Sequence, residues 1–383
     1  MACLAISLVL SFTYVFLIKL MPKVMIYGLM VLSMAILFGL AIFGFVIGSL
    51  PMAISFLVIF LVYALVLMCL RKKIDMGIIL VKVASQFLSE KWGVFLSPII
   101  KVVVNVLFSF FWIYSLNCIL AVSDDKVNKN QDNTVEGVMT FLWFFVWLFF
   151  SFVFYYVMVF TIAVSCAFWY YRVEGRNYLV TAYKWLFTSA FGSIVFGATL
   201  LAVITLARLL LDSKRRETKN IAVAVCLCIV SMCLKNLENL FKILNHNCVI
   251  VMSVTGENYI NSAKTTIGIL SRFLGLMSVS DIITGLLVFW GIVLITGVTS
   301  FISYFWLDSK NLSSDVMAML MVVTILGSIM ISSLIFSVLV EAVSSVFIFY
   351  CFDVRFKELG YSSNNMPNEI NDALGNYHYE EKQ

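Results

Sequence analysis

The sequence predicts an all-α fold: a polytopic transmembrane helix bundle with about nine spans and one or two interfacial amphipathic helices. Of its 383 residues, 62% are hydrophobic and 12% are charged, which is about half the charged share of a soluble domain. The apolar residues recur in runs of the roughly 20 residues that cross a bilayer as a helix. A membrane β-barrel would show short alternating strands instead, so the runs indicate helices.

Nine apolar runs follow one another along the chain, separated by short polar or basic connections. They lie at about 2–18, 24–48, 52–70, 94–121, 141–171, 187–211, from 221 onward, 281–306 and 316–340. Residues 74–91 are apolar only at helical spacing, with charged residues between, which predicts an amphipathic helix on the inner interface. A second short interfacial segment carries Tyr178, Tyr183 and Trp185.

The basic triplet Arg71-Lys72-Lys73 marks a cytoplasmic connection, because cytoplasmic loops carry an excess of lysine and arginine. Strict alternation from this triplet places the N-terminus outside. The domain prediction is a transmembrane transporter domain at 1–352 and a disordered cytoplasmic tail at 353–383. The basic loop 213–217 would then face outward, so either this loop tolerates the violation or the segment from Ile221 is re-entrant. The sequence favours alternation.

The stretch 245–265, "NHNCVIVMSVTGENYINSAKT", is unusually polar for so apolar a chain. Gly256 breaks an apolar run, and Glu257 and Asn258 follow at once. A helix broken at the membrane midplane is a known transporter device, whereas close helix packing by small residues is the alternative. Just before it, Lys235, Glu238 and Lys242 share one helical face, either at membrane depth or in water. We expect the stretch to border an aqueous route.

Residues 245–265 resemble the signature of the choline transporter-like family, in which Asn-x-Asn-Ala-Tyr precedes an apolar run, a glycine and a Ser-Ala pair. The residues in matching places are Asn245, Asn247, Gly256, Ser262 and Ala263. The chain departs from the family at Cys248 and Val249, which stand for Ala-Tyr. A second departure is Tyr259-Ile260, where the family often has Phe-Cys.

Three further blocks resemble the same family. The segment 189–208 is similar to its His-Leu-Gly-Ser segment, with Ala190 in place of the histidine. "FYCFD" at 349–353 resembles the end of the family's last span, and the opening 8–27 resembles its second and third spans. The matching residues of the first of these blocks are Gly192, Ser193, Gly197 and Arg208.

The resemblance implies a carrier of choline and related amines with ten spans and a cytoplasmic C-terminus, most naturally in the plasma membrane. Members of the family usually have an additional first span and a large extracellular loop. We therefore interpret the sequence as a short, divergent member without them. The implied partners are a small cation, choline or ethanolamine, and the lipid bilayer.

A site for choline needs aromatic faces and diffuse negative charge, because a quaternary ammonium has no N–H to donate. Each cation–π contact contributes about 0.5–2 kcal/mol. The predicted substrate-binding residues are Tyr155, Tyr156, Trp147, Glu341, Asn258 and Ser262. The alternatives are Trp143 and Trp290 as aromatic groups, Asp281 and Glu257 as counter-charges, and Asn105 and Asn117 as partners of the hydroxyl.

Other functional classes find little support in the sequence. It has two histidines and neither a metalloprotease, a serine-hydrolase nor a phosphate-binding motif. We therefore expect no enzyme activity, no cofactor, no bound metal and no nucleic-acid partner. A channel or lipid-organising scaffold is the alternative function. The sequon beginning at Asn311 lies in a short predicted outer loop.

Overall fold

The computed structural model describes residues 2–127, 134–173, 177–217, 221–309 and 313–358. These residues form eleven α-helices. In chain order they are α1 (Ala2–Leu20), α2 (Pro22–Val46), α3 (Leu50–Cys69), α4 (Arg71–Glu90), α5 (Leu96–Val127), α6 (Thr134–Tyr170), α7 (Tyr178–Trp185), α8 (Phe191–Glu217), α9 (Ile221–Thr255), α10 (Tyr259–Asp308) and α11 (Ser314–Glu358). A 3-10 turn at Trp92–Phe95 and a π-helical turn at Leu186–Ala190 complete them.

The predicted fold class is confirmed: within the described residues, nine helices are long and apolar enough to cross a membrane. The eighth span begins earlier than the sequence suggested, because residues 259–280 continue it as the first part of α10. This element has 50 residues, and a kink at Phe273 divides it into two helical parts. α11 likewise runs to Glu358, so it includes the first residues of the predicted tail.

Three predictions fall partly or wholly on residues outside the described ranges. They concern the rest of the tail at 359–383, the centre of the polar loop at 128–133, and the sequon at Asn311.

The described chain divides into two compact units. Unit 1 contains α1 to α4, residues 169–172 and the part of α10 and α11 from 270 onward. Unit 2 contains α5, α7, α8, α9, most of α6 and the start of α10 up to 269. Each unit has its own buried core.

In unit 1, α1 and α11 pack side by side through a ladder of serines. The Ser7 and Ser328 hydroxyls lie 3.0 Å apart, and those of Ser11 and Ser332 lie 3.2 Å apart. All four side chains are fully buried. Small hydroxyl residues let transmembrane helices approach closely and hydrogen-bond across the contact. The separation of 321 residues is the same in both pairs, so the two helices run parallel.

This parallel arrangement limits the topology. α1 and α11 start on the same face of the membrane, so the chain between them crosses an odd number of times. The seven intervening long apolar helices satisfy this requirement if each of them crosses. A re-entrant α9 would leave six crossings and an antiparallel pair. The parallel pair is therefore consistent with a spanning α9, which stays a prediction.

We predict that the double variant Ser11→Cys/Ser332→Cys forms an intramolecular disulfide under mild oxidation. The reason is that these side chains already face one another in the parallel register. The measurement is the mobility shift of the purified protein on a non-reducing gel, compared with the parent chain and its nine native cysteines. The mismatched pair Ser7→Cys/Ser332→Cys is the control. Equal cross-linking of both pairs would contradict the register.

The other end of unit 1 is a polar and aromatic layer between α4, α11 and residues 169–172. The Tyr170 hydroxyl donates to Asp353, 2.7 Å away, and the Trp169 indole N–H donates to Glu90, 2.6 Å away. The apolar side of α4, which the sequence assigned to the membrane interface, packs against α1, α2 and α11. Asp353 belongs to the family-like block 349–353, all of which is buried.

Candidate functional site

The polar stretch 245–265 forms the end of α9, a connection of three residues and the start of α10 in unit 2. Gly256 has φ +66°, a left-handed conformation that glycine adopts without steric cost and that commonly ends helices. The side chain of Asn258 then accepts a hydrogen bond from the Asn261 N–H at 3.1 Å, which caps α10. The break is thus a connection between two helices. Glu257 and Asn258 are exposed, and the aqueous route beside them stays a prediction.

Next to this connection, hydrogen bonds join α8, α9 and α10. We call the four residues that form them, Ser193, Gly197, Asn245 and Tyr259, the helix lock. Asn245 donates to the Gly197 carbonyl at 2.7 Å and accepts from the Tyr259 hydroxyl. The Tyr259 N–H donates to the Ser193 hydroxyl at 3.3 Å. A Cβ on Gly197 would lie 2.7 Å from the Tyr259 ring, so only glycine leaves room for it. Tyr259 is therefore positioned by Asn245, Gly197 and Ser193.

The remaining motif residues lie around this lock with different exposures. Asn247 is buried and donates to the Ile243 carbonyl at 2.8 Å within its own helix. Ser262 is fully buried, and its hydroxyl has no hydrogen-bond partner among the described residues. Ala263 is half-buried, whereas Gly192 is exposed, and a Cβ at Gly192 would meet no described atom within 4 Å.

An ionic network joins the middle of α8 to α9. Glu238 is 2% exposed and pairs with Arg208 and with Lys242, whose Nζ lies 2.6 Å away. Arg208 also approaches Asp212 at 3.5 Å, and Asp212 accepts from Ser231 at 2.5 Å. The motif arginine and the polar face of α9 therefore neutralise each other inside unit 2. Lys235, on the same stretch of α9, is exposed.

The basic residues near the end of α8 belong to the helix rather than to a free loop. Lys214, Arg215 and Arg216 lie in the last turn of α8, where cations are stabilised by the helix dipole. Arg215 also lies 3.9 Å from Asp212. Both effects stabilise these basic residues at the end of α8.

Tryptophans tie α5 to α6 in the same unit. The Trp112 indole donates to the Trp143 carbonyl at 2.8 Å, and the Trp143 indole donates back to the Trp112 carbonyl at 3.2 Å. Trp147 stacks near Trp112 and Phe144, with ring centroids 5.7 and 5.8 Å away. The predicted residue Trp147 therefore belongs to a cluster of aromatic rings.

This cluster borders an apolar groove of about 690 Å³ between α5, α6 and α8. Its size falls in the range of small-molecule sites, about 300–1,000 Å³. The lining residues that matter here are Trp112, Phe141, Phe144 and Thr140. The sequence pattern predicted none of these four as site residues, because one sequence does not reveal which of many aromatic residues face a common space.

Tyr155 and Tyr156 lie further along α6, with ring centroids 5.2 Å apart. Tyr156 is buried and Tyr155 half-buried. The ammonium of Lys101 on α5 lies 5.9 Å from the centroid of the Tyr155 ring. The alternative hydroxyl partners on α5 differ: Asn105 faces inward, whereas Asn117 is exposed.

The predicted counter-charge Glu341 belongs to unit 1. It is 3% exposed, and the register of 321 residues between α1 and α11 sets it level with Leu20, the last residue of α1. Asp281 is exposed in the same unit, and the Trp290 indole donates to Ser33 at 2.9 Å. Within the described part of the chain, no cluster of His, Cys, Asp or Glu is suited to a metal ion.

In the part of the chain that the structure describes, nine apolar helices with buried polar networks define the class of protein: a multi-pass α-helical membrane protein. The chain belongs to the family described as plasma-membrane choline transporter, whose sequence model matches residues 54–355. This match includes both motif-bearing regions of unit 2 and the block 349–353.

Individual relatives agree with the family match. Choline transporter-like protein 4 of Bos taurus is 31% identical over 176 residues, and choline transporter-like protein 5-A of Danio rerio is 30% identical over 174 residues. Choline transporter-like protein 2 of Salmo salar is 30% identical over 176 residues. Each alignment covers 43% of this chain and 25% of the relative, so the chain matches about a quarter of the length of these proteins.

Proposed function

We propose that this protein carries choline or a related amine across the plasma membrane. The observation that carries the proposal is the family match over residues 54–355. The arrangement of unit 2 supports it, because motif residues form its helix lock and aromatic rings border a groove of suitable size.

The proposed cation contacts are the aromatic rings of α5 and α6. Trp147, Tyr155 and Tyr156 are the sequence-predicted members, and Phe144 and Trp112 join them because their rings line the groove. Rings at these positions offer faces to a methylated ammonium without requiring a hydrogen bond. Ser262, whose buried hydroxyl lacks a partner among the described residues, remains the proposed polar contact at the start of α10. Glu341 and Asn258 remain proposals from the sequence alone.

The charge distribution supports a cytoplasmic C-terminus. In unit 1, the face at which α1 and α11 end carries many cations, and the opposite face carries Asp308 and Asp315 among the described residues. The cations are Lys19, Lys23, Arg71, Lys73, Lys91, Arg272, Arg355 and Lys357. Because the positive-inside rule assigns cation-rich loops to the cytoplasm, we propose that this face is cytoplasmic and that the N-terminal end of α1 lies outside.

An inside-negative membrane potential favours entry of a monovalent cation. Moving one charge across 100 mV is worth about 2.3 kcal/mol, which corresponds to a concentration ratio of about 50. Facilitated diffusion driven by this potential, or exchange against protons, would therefore suffice to accumulate the substrate.

We predict saturable uptake of radiolabelled choline by proteoliposomes that contain the purified protein and an imposed inside-negative potential. Phe144→Leu and Trp147→Leu should each raise the KM about three- to tenfold, because each removes a cation–π face but keeps apolar volume. Phe110→Leu is the matched control, since this α5 side chain is exposed and faces away from the groove. Uptake equal to that of empty liposomes would contradict the proposal.

A lipid-organising scaffold is the second candidate, and the apolar lining of the groove favours it. An acyl chain fills such a groove without any need for a cation site. In the same proteoliposomes, lipid redistribution between leaflets without saturable choline uptake would identify this function.

A further inference from the structure

Lys101 already places a cation on a ring that the proposed substrate would use. Its ammonium lies 5.9 Å from the Tyr155 centroid, within the range of about 6 Å for a cation–π contact. Among the described residues, no ion pair joins Lys101 to a carboxylate. The aromatic face is therefore the only described partner of its charge.

Two buried oxygens flank Lys101 on the same face of α5. Ser97 Oγ and Asn105 Oδ1 have no hydrogen-bond partner among the described residues. They lie four residues before and four after Lys101, one helical turn away on either side. Buried acceptors without a partner are rare in native proteins, and each calls for an explanation. An ammonium with three N–H donors is the group best suited to satisfy them.

We propose that Lys101 is a tethered competitor of the cationic substrate. Its ammonium occupies the Tyr155 ring while the site is empty, and it moves one turn along α5 to Asn105 Oδ1 when a substrate cation takes the ring. Asn105 is the better of the two acceptors, because an amide oxygen only accepts, whereas a serine hydroxyl also donates. This inference rests on the proposed function, since it needs a cationic substrate at the ring.

Two cations cannot share one aromatic face, because their charges repel each other at this distance. The protein therefore has two arrangements, one with Lys101 on the ring and one with the substrate there. A substrate binds only to the fraction of molecules in which the ring is open, so its apparent affinity falls by that fraction. Removing the Lys101 ammonium should tighten substrate binding. Removing Asn105, its second binding position, should weaken substrate binding.

The test is the KM for choline uptake in proteoliposomes. Lys101→Met should lower the KM about fivefold, the factor that corresponds to loss of one competing cation–π contact. Asn105→Leu should raise the KM while Lys101 is present, and it should have no effect in the Lys101→Met background. Competition thus predicts KM changes of opposite sign for the two single variants and an Asn105→Leu effect that depends on Lys101. A general effect on packing predicts neither. Lys184→Met is the control, because it removes the same charge from an exposed position in unit 2.

The outcomes distinguish this inference from the proposed function. Saturable wild-type uptake with an unchanged KM in Lys101→Met overturns the inference and leaves the transport function in place. Absence of wild-type uptake overturns both. If Lys101→Met folds poorly, Lys101→Gln replaces it. A choline-dependent rise in the Tm of the purified protein then reports binding directly. In Lys101→Gln this rise should need about one fifth of the choline concentration that the wild-type protein needs.

Discussion

Replacing Glu238 with glutamine is expected to lower the free energy of unfolding by about 2 kcal/mol. The carboxylate is 2% exposed and holds both Arg208 and Lys242, so its loss leaves two cations facing a neutral amide. The expected loss is at the lower end for a buried ion pair, because Lys242 is 47% exposed and water can take over part of its solvation. The measurement is the Tm of the purified protein in detergent.

Glu257→Gln is the matched control for this prediction, because Glu257 is exposed in the connection between α9 and α10. It should leave the Tm unchanged. A double variant, Arg208→Met/Glu238→Met, tests the origin of the effect, since it removes the arginine together with its partner. It should be more stable than Arg208→Met alone, which leaves Glu238 with one fewer cation. A Tm of Glu238→Gln equal to that of the wild type would show that the network contributes nothing to folding.

Replacing Gly197 with valine is expected to destabilise unit 2 by about 2 kcal/mol, the usual cost of forcing extra carbon atoms into a packed core. A Cβ here would lie 2.7 Å from the Tyr259 ring and 3.2 Å from Asn245 Oδ1. The ring must move, and the hydrogen bond between Tyr259 and Asn245 would be lost with it. We expect a lower Tm and a smaller folded fraction in size-exclusion chromatography.

Gly192→Val is the comparison for Gly197→Val, since both glycines lie on α8 and the helix propensities of the substitutions match. A side chain at Gly192 meets open space. It should therefore cost far less, even though both glycines belong to the same family motif. Equal destabilisation by the two variants would mean that backbone propensity, rather than contact with Tyr259, explains the role of Gly197.

The different environments of Gly192 and Gly197 show that a shared motif does not predict which of its residues make contacts. The motif placed Gly192, Gly197 and Asn245 in the chain without saying which of them meet. Antiparallel packing of α8 and α9 brings Gly197 to Asn245, and the turn at Gly256 brings back Tyr259. These contacts join residues that are 48 and 14 positions apart in the sequence. Helix packing brings them together, and the periodicity within one helix does not predict that packing.

The charged residues of α9 also show that a sequence pattern does not predict tertiary contacts. Their spacing predicted a shared face for Lys235, Glu238 and Lys242, and it left open whether water or protein covered that face. The structure buries Glu238 against Arg208 and leaves Lys235 exposed. Burial depends on a partner helix, so a hydropathy pattern alone does not decide it.

By itself, the sequence determined the helical membrane fold, the nine apolar helices of the described residues and the family. The helices are predictable because the length and hydropathy of a span are local requirements of the bilayer. The parallel pairing of α1 with α11, the lock around Tyr259 and the contact of Lys101 with Tyr155 were decided only by the tertiary structure. In lipid every span is apolar, so hydrophobicity does not select which helices meet. Small residues and buried polar groups make that selection, and their partners lie far away along the chain.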